Sequence, residues 1–359
     1  MTITVIAVAA ESYGALTVLK ELYGEAVTHK EHRWKFILSA HHVEPVDNVE
    51  VIVQPQVKKS WIVRLFWELF RAKRVVAMTR ADVILSLQNM LVFGCPKPQM
   101  LYLHNVIPFQ NVKRFSLLKR EERYYAVYQH LIGRLIKFSV KSADVVVVQS
   151  FWLKDVLLNK LRKGREQSVI VAPTEINTQG MVSVDMPDNI RLSIRRFIYP
   201  AAPSLFKNHR CLIEAVKILR ERNYRNFSVD MTLNDNEIEK TEECINTIGF
   251  IPRNKLLQKY KEYALVFPSY IESYGLPLAE ARAVGAVILA ADCAYAREVL
   301  SEYPNALFFN PFKPEELAQQ MAKVLDGQII YRHDEQPKTS GGTWGQIINT
   351  ISTMRKQVQ

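Results

Sequence analysis

The chain has 359 residues, 48% hydrophobic and 23% charged, with 13 glycines and no long low-complexity run. This ordinary globular composition excludes disordered, collagen-like and fibrous classes, and the length fits two domains better than one. The formal charge of +11 is uneven: residues 1–175 hold 25 Lys and Arg against 15 Asp and Glu, and the remainder holds 22 against 21. A basic first half calls for an anionic partner, either nucleic acid or an anionic bilayer.

In chain order, Met1–Ala10 lacks a basic start and is too short to span a membrane, so it reads as a buried strand rather than a signal peptide. Nothing later reaches the length of a membrane span, and a cytoplasmic protein, at most peripheral on the membrane, is expected. Short Val- and Ile-rich runs at 3–9, 35–39, 50–53, 82–87, 99–103, 144–148 and 168–171 alternate with helical stretches, the pattern of parallel strands joined by crossover helices. The polar, aperiodic segment 172–188 with two prolines reads as an interdomain linker. A second series of runs follows at 196–199, 227–232, 245–249, 264–267, 287–290 and 306–309. Apolar residues at 344, 347, 348, 351 and 354 after a Gly-Gly break predict a last helix, in the segment 340–359, that packs back on the first domain. The fold expected is α/β: two Rossmann-like doubly wound domains, 1–175 and 176–339, facing each other across a cleft. Cys95, Cys211, Cys244 and Cys293 stand far apart with no CxxC, so neither a zinc site nor a disulfide framework is indicated.

The segment with most chemistry is Leu265-Val-Phe-Pro-Ser-Tyr-Ile-Glu272-Ser-Tyr-Gly-Leu-Pro277-Leu-Ala-Glu280. A strand ends at Pro268, a loop carries Glu272 and Gly275, and Pro277 opens a helix where its missing N–H costs nothing. Two carboxylates therefore flank a helix N-terminus. Such a terminus suits a phosphate, and ionised carboxylates suit sugar hydroxyls, because they only accept hydrogen bonds. A sugar nucleotide has both. The bland alternative is that the two glutamates merely favour the helix start, at about 0.3–1 kcal/mol each.

This stretch, continued through Ala286–Leu300 and Asn305–Ala318, closely resembles the E-x7-E signature of the retaining GT-B glycosyltransferases of family 4, also called group 1. The resemblance implies that Glu280 binds ribose hydroxyls and Glu272 donor-sugar hydroxyls, with backbone N–H groups near Tyr274, Gly275 and Leu276 on sugar and diphosphate. Ile248–Leu256, through Phe250 and Ile251, looks like the family's base-binding turn. Lys207, in Phe197-Ile-Tyr-Pro-Ala-Ala-Pro-Ser-Leu-Phe-Lys207-Asn208, matches a lysine that neutralises the diphosphate. The accompanying arginine is replaced by Ala201 or Ala202, and Arg196, His209 or Arg210 are the candidates to supply its charge. His104 stands where the family has a histidine facing the donor sugar, and Gly14 lies in the position of a glycine-rich loop near diphosphate and acceptor.

The resemblance implies catalysis without metal or other cofactor. It also implies a nucleotide-sugar donor and a glycan or lipid-linked acceptor, in polysaccharide or lipopolysaccharide synthesis. Rival readings are a sugar-nucleotide epimerase of similar fold, or a non-enzymatic membrane- or nucleic-acid-binding protein with a degenerate cleft. In the basic half, Ser60–Arg74 carries polar residues at 60, 64, 68 and 71 on an otherwise aromatic and aliphatic helix, bracketed by Lys58, Lys59, Lys73 and Arg74. Together with the basic run from Lys113 and Arg114, this suits an interfacial helix on anionic lipid. No nucleic-acid-binding motif accompanies the charge, so nucleic acid is not the expected partner.

Overall fold

The computed structural model describes residues 1–11, 13–160, 168–173, 189–200, 202–238, 242–334 and 343–354. Most of the expected linker, from 174 to 188, lies outside them, as do Ala201 and the Gly-Gly break before the last helix. The chain divides into two compact units, residues 1–174 with 340–359 and residues 175–339.

In the first unit, strands β1 (Thr2–Ile6), β2 (Arg33–Leu38), β3 (Val49–Val53), β4 (Val83–Ser86), β5 (Gln99–Tyr102), β6 (Val145–Val148) and β7 (Val169–Val171) form one sheet. Their order is β3-β2-β1-β4-β5-β6-β7 and every pairing is parallel. The helices are α1 (Tyr13–Thr28), α2 (Trp61–Phe66), α3 (Ala72–Thr79), α4 (Arg123–Val127), α5 (Gly133–Ser142) and α6 (Phe151–Leu158). A π turn at Trp67–Arg71 joins α2 to α3, and another at Tyr128–Ile132 joins α4 to α5.

The second unit repeats the plan. After the short β8 (Arg191–Leu192), strands β9 (Arg196–Tyr199), β10 (Ser228–Met231), β11 (Ile245–Thr247), β12 (Ala264–Phe267), β13 (Ile288–Ala291) and β14 (Ala306–Phe309) form a parallel sheet ordered β11-β10-β9-β12-β13-β14. Its helices are α7 (His209–Glu221), α8 (Arg253–Tyr260), α9 (Leu276–Ala283), α10 (Ala294–Val299) and α11 (Pro314–Leu325); β15 (Ile329–Ile330) pairs antiparallel with β8. Each apolar run expected to be a strand is one. The expected α/β class with two Rossmann-like units is therefore the fold observed.

Helices on both faces explain the near-continuous apolar strands, since a parallel sheet is buried on both sides. Along β1, Ile3 and Val5 join one core with Leu19 and Leu22 of α1, whereas Ile6 joins another with Trp67 and Val76. This is the two-residue alternation of a strand read at both faces. The final helix α12 (Thr343–Met354) completes the first of these cores: Trp344, Ile347, Ile348, Ile351 and Met354 are buried in it, and the Trp344 ring lies 5.8 Å from Tyr102. Trp344 Nε1 donates to Glu21 at 3.4 Å.

Ile347 is fully buried, so Ile347→Ala should destabilise the first unit by about 2–5 kcal/mol. Thermal unfolding followed by hydrogen exchange should show earlier opening of β1 and α1 with β9–β14 unchanged. Unaltered exchange in β1 would mean that α12 does not hold this core.

Candidate active site

The second sheet reverses its winding between β9 and β12, and open α/β sheets bind ligands outside the carboxyl ends of strands at such a point. Lys207 follows β9 and Glu272 follows β12, and their side chains meet there, Nζ to Oε1 at 2.5 Å. Both are mostly shielded, at 18% and 16% exposure. The lysine is fixed through its backbone. Tyr199 O–H donates to the Lys207 carbonyl at 2.5 Å, and the Tyr270 N–H donates to the preceding carbonyl of Phe206 at 3.1 Å. Asn208 takes the left-handed conformation, φ 59°, and ends the turn carrying Lys207 so that α7 can begin. Its amide donates to the carbonyls of Pro268 at 3.2 Å and Pro311 at 2.7 Å, tying this loop to the ends of β12 and β14. Ser269 Oγ lies 2.7 Å from Glu272 Oε1 as a donor, holding the carboxylate.

Between the glutamates, the loop through Tyr274 and Gly275 turns into α9. Gly275 has φ 88°, and a Cβ there would sit 3.0 Å from the Tyr295 ring, so conformation and space both require glycine. Tyr295 is itself anchored, its hydroxyl donating to the Ser269 carbonyl at 2.6 Å. Gly275 caps the helix; Leu276 is its first residue, Pro277, which has no N–H, its second, and the Leu278 and Ala279 N–H groups donate to the Gly275 carbonyl at 2.9 and 3.3 Å, so Leu276 carries the N–H at this end that no intrahelical carbonyl can reach. Tyr274 is half-buried, and burial raises its phenol pKa.

Glu280 lies one turn into α9 and is 3% exposed. Arg253, the first residue of α8, donates from Nε to Glu280 Oε1 at 2.5 Å. Burial raises the Glu280 carboxyl pKa, and the Arg253 hydrogen bond and charge pull back against that. The Tyr260 hydroxyl, within the field of Glu280, is enclosed and has no hydrogen-bond partner among the described residues. Just before α8, Phe250 is 85% exposed and Ile251 half-buried, following Gly249 at φ 61°. The expected base-binding turn thus lies beside the expected ribose-binding glutamate, linked through Arg253. Sequence reading included Arg253 in that turn without giving it a role. Its place directly after Pro252, at a helix start, was the available signal.

The countercharge candidates fare differently. Arg196 begins β9, at the strand end away from Lys207, and is spent on Glu262 at 2.6 Å with its guanidinium 4.7 Å over Tyr263. His209 is half-buried, and its desolvation and the Lys207 charge together lower its pKa to about 4, so the ring is neutral and supplies no charge. Both expectations are corrected. Arg210 is exposed in the first turn of α7. In the first unit, His104 follows β5 and stacks 4.6 Å from Tyr102; burial lowers its pKa to about 4, and its Nε2 is enclosed without a partner among the described residues. It is therefore a neutral ring. Asn89, which sequence reading missed, positions it: at φ 67°, Asn89 Oδ1 accepts from the His104 and Asn105 N–H groups at 2.7 and 2.8 Å. Gly14 lies exposed in the first turn of α1, with open space where a Cβ would stand.

Removing the Arg253 guanidinium would leave the Glu280 carboxylate buried without its cation. Glu280 titrates higher folded than unfolded, so it favours the folded state least where it must ionise, at pH above its unfolded value near 4.5. Arg253→Ala raises that pKa further. The variant should therefore lose more stability relative to wild type at pH 8 than at pH 5 in paired thermal melts. Equal losses at both would refute the ion pair's role.

Residues 194–340 match the family described as Glycosyl transferases group 1. The O-antigen chain mannosyltransferase RfbU of Salmonella typhimurium is 25% identical over 234 residues, covering 63% of this chain and 64% of that protein. Among solved structures, sucrose-phosphate synthase from Thermosynechococcus elongatus superposes with a TM-score of 0.68 at 15% identity, covering 100% of this chain and 99% of that one. Anabaena Alr3699/HepE, solved with UDP and glucose, gives 0.63 at 16% identity over 100% and 98%. The lipopolysaccharide outer core galactosyltransferase WaaB gives 0.61 at 16% over 98% and 99%. The structural likenesses mark the fold as GT-B, and the likeness to group 1 glycosyl transferases lies in residues 194–340, the part that carries Lys207, Glu272 and Glu280.

Proposed function

We propose that the protein is a retaining glycosyltransferase acting at the cytoplasmic face of an anionic membrane. It would move a sugar from a nucleoside diphosphate sugar to a hydroxyl of a glycan or lipid-linked glycan in surface polysaccharide or lipopolysaccharide synthesis. The observation that carries this reading is the Lys207–Glu272 contact at the switch point, beside the open N-terminus of α9 and one turn from Glu280. One cation, the Leu276 N–H at the helix start and two carboxylates match a diphosphate and two sets of sugar hydroxyls. RfbU, named as an O-antigen mannosyltransferase, and the UDP complex of HepE support the substrate class.

In the reaction proposed, the bond between the sugar's anomeric carbon and the diphosphate oxygen breaks. The acceptor oxygen bonds that carbon on the same face, and the acceptor proton passes to the departing phosphate. Charge grows on the diphosphate as its bond breaks, so Lys207 and the Leu276 N–H at the start of α9 act most strongly in the transition state. Glu272, released from Lys207, accepts from the donor sugar, and Glu280 accepts from ribose. Tyr274, Gly275 and Leu276 bound the space for the diphosphate, and Phe250 offers an exposed ring to the base. His104 and Gly14 belong to this reading as groups that meet the donor sugar and the diphosphate.

The membrane part rests on the segment from Trp61 to Arg74. Its polar stripe is split: Ser60 and Arg71 are exposed, whereas Arg64 and Glu68 line an inward recess, and Trp67 is buried. Ile62, Phe66 and Phe70 are exposed as well, and Lys58, Lys59, Lys73 and Arg74, which flank them in sequence, are exposed too. Leu117 and Leu118, beside the basic run from Lys113, are also exposed. An exposed apolar face ringed by basic residues matches the headgroup boundary of an anionic bilayer. Lys113, expected to share in this, is held instead by Glu122 at 3.1 Å. Among the described residues no helix is long and apolar enough to cross a membrane.

Calorimetric titration with a panel of nucleoside diphosphates, UDP included, tests the class. Glu280→Ala should weaken nucleotide binding by about 1.5–3 kcal/mol, the loss of hydrogen bonds to a charged group. Glu272→Ala should spare binding but lower turnover, and Lys207→Ala should lower turnover by orders of magnitude, with wild-type turnover insensitive to chelator. No nucleotide binding would favour a degenerate site. Strong chelator inhibition would overturn the metal-free route, and an anomerically inverted product would overturn retention.

For the membrane, neutralising Lys58, Lys59, Lys73 and Arg74 should weaken flotation with anionic liposomes by about 1 kcal/mol per charge. High salt should weaken wild-type flotation in the same sense. Equal flotation on neutral and anionic lipid would refute the electrostatic contribution.

A further inference from the structure

A cavity of about 250 Å³ lies on the flank of the first unit, lined among the described residues by Phe109, Val140 and Leu157 and by Lys137, Lys141 and Lys160. The three apolar side chains are buried parts of the core, whereas Lys141 and Lys160 are exposed and Lys137 is half-buried. Val140 and Lys141 belong to the last turn of α5, and Leu157 to the last turn of α6. Those turns lead toward the starts of β6 and β7. Open α/β sheets bind their substrates at the other ends of the strands, so the position of this cavity is not that of a substrate site.

Its charge is one-sided. The described lining holds three ammonium groups and no carboxylate, and none of the three lysines makes an ion pair among the described residues. The Lys160 ammonium instead stands 5.6 Å over the Phe109 ring. Desolvation lowers its pKa, and the Lys137 charge lowers it further. Two like charges thus share a partly dry place with no counterion, an arrangement that an anion would relieve.

The walls narrow the anion further. Side chains of Phe, Val and Leu offer no partner to hydroxyls or to a nucleobase, so a sugar or nucleotide would lose hydrogen bonds on entering. An inorganic anion would leave the walls unused. The volume has room for about eight groups the size of water, enough for one short stretch of chain and too little for the two chains of a phospholipid. Lysine ammonium groups are point charges without the planar fork of arginine, so they meet a carboxylate or a phosphate monoester alike. We propose that this cavity binds an anion with a single aliphatic chain, the chain against Phe109, Val140 and Leu157 and the charged head among Lys137, Lys141 and Lys160. The site depends neither on the glycosyltransferase reading nor on the exposed face around Ile62 and Phe66.

The test is methyl NMR of the full chain titrated with alkanoates from butanoate to decanoate, octyl phosphate, octanol, acetate and inorganic phosphate. The Leu157 methyls are assigned with Leu157→Met. Octanoate, octyl phosphate or both should shift the Val140 and Leu157 methyls to saturation, and the tighter of the two identifies the head group. Affinity should rise about fourfold for each methylene added and level off near about eight carbons. Octanol should bind more weakly than the anion of equal chain length, and acetate and inorganic phosphate should leave both methyls unmoved. Lys137→Gln and Lys160→Gln should each weaken the anion about fivefold. Neither loses an ion pair, so their melting temperatures without ligand should match or exceed that of wild type. No shift at Val140 and Leu157 with either head group would overturn the proposal. So would shifts that never saturate and appear equally at the exposed Leu117 and Leu118, which would mark adsorption, or binding that both glutamine variants leave intact. Loss of flotation on anionic liposomes in these variants, without octanoate or octyl phosphate binding to wild type, would assign the lysines to a bilayer surface and also overturn it.

Discussion

Lys207 and Glu272 stand 65 residues apart in sequence and 2.5 Å apart in space, and the arrangement of the second unit follows from making that contact possible. It requires β9 and β12 to be sheet neighbours although β10 and β11 intervene in the chain, which is what reversal of winding provides. It also requires the turn after β9 to stop at Lys207, and Asn208 in the left-handed conformation does this while bonding to the loops after β12 and β14. Without a ligand, the two charges satisfy one another out of water. A donor carrying both phosphate and hydroxyls could separate them and leave neither bare, whereas a ligand offering only one of these would strand its opposite.

Glu280 is held in a different electrostatic regime from Glu272, though eight residues separate them. Glu272 lies in a loop, partly exposed, with a flexible lysine as partner. Glu280 is enclosed on a helix, raised in pKa by burial, and held by the guanidinium of Arg253, itself nearly half exposed. Because α8 starts at Arg253, directly after the loop with Phe250, any shift of that loop is felt at Glu280. The ring exposed at Phe250 and the carboxylate buried at Glu280 are thus two ends of one coupled element, suited to a ligand with a flat apolar part and adjoining hydroxyls.

The strands of both sheets were legible in the sequence because each is a short run of buried apolar residues between helical stretches. β8 and β15 were not, since two residues carry no period. The loop from Glu272 to Glu280 was legible from Gly275 and Pro277, whose backbone requirements mark a helix start locally. The partner of each glutamate was not, because a charged side chain's contact depends on which loops the topology gathers. The search for a second countercharge shows the limit. Arg196 is near Lys207 in sequence yet sits at the wrong end of its strand. His209 is two residues away yet kept neutral by its desolvation and by the Lys207 charge itself.

The segment Trp61–Thr79 exposes a further limit, and its cause is that polarity and periodicity point opposite ways there. At about 100° per residue Glu68, Ala72, Val76 and Thr79 fall on one helix face, and Phe66 and Phe70 fall on the other. The structure follows that phase: Glu68, Ala72, Val76 and Thr79 are buried, while Phe66 and Phe70 are exposed. A reading by polarity alone assigns Arg64 and Glu68 to water and the phenylalanines to the core. The small and aliphatic residues after the π turn decide instead, because Ala72 and Val76 pack against β1 through Ile6, and the face they share brings Glu68 inward with them. The carboxyl is left with Arg64 at 3.8 Å as its cation, and an apolar ridge of Ile62, Phe66 and Phe70 is left in water.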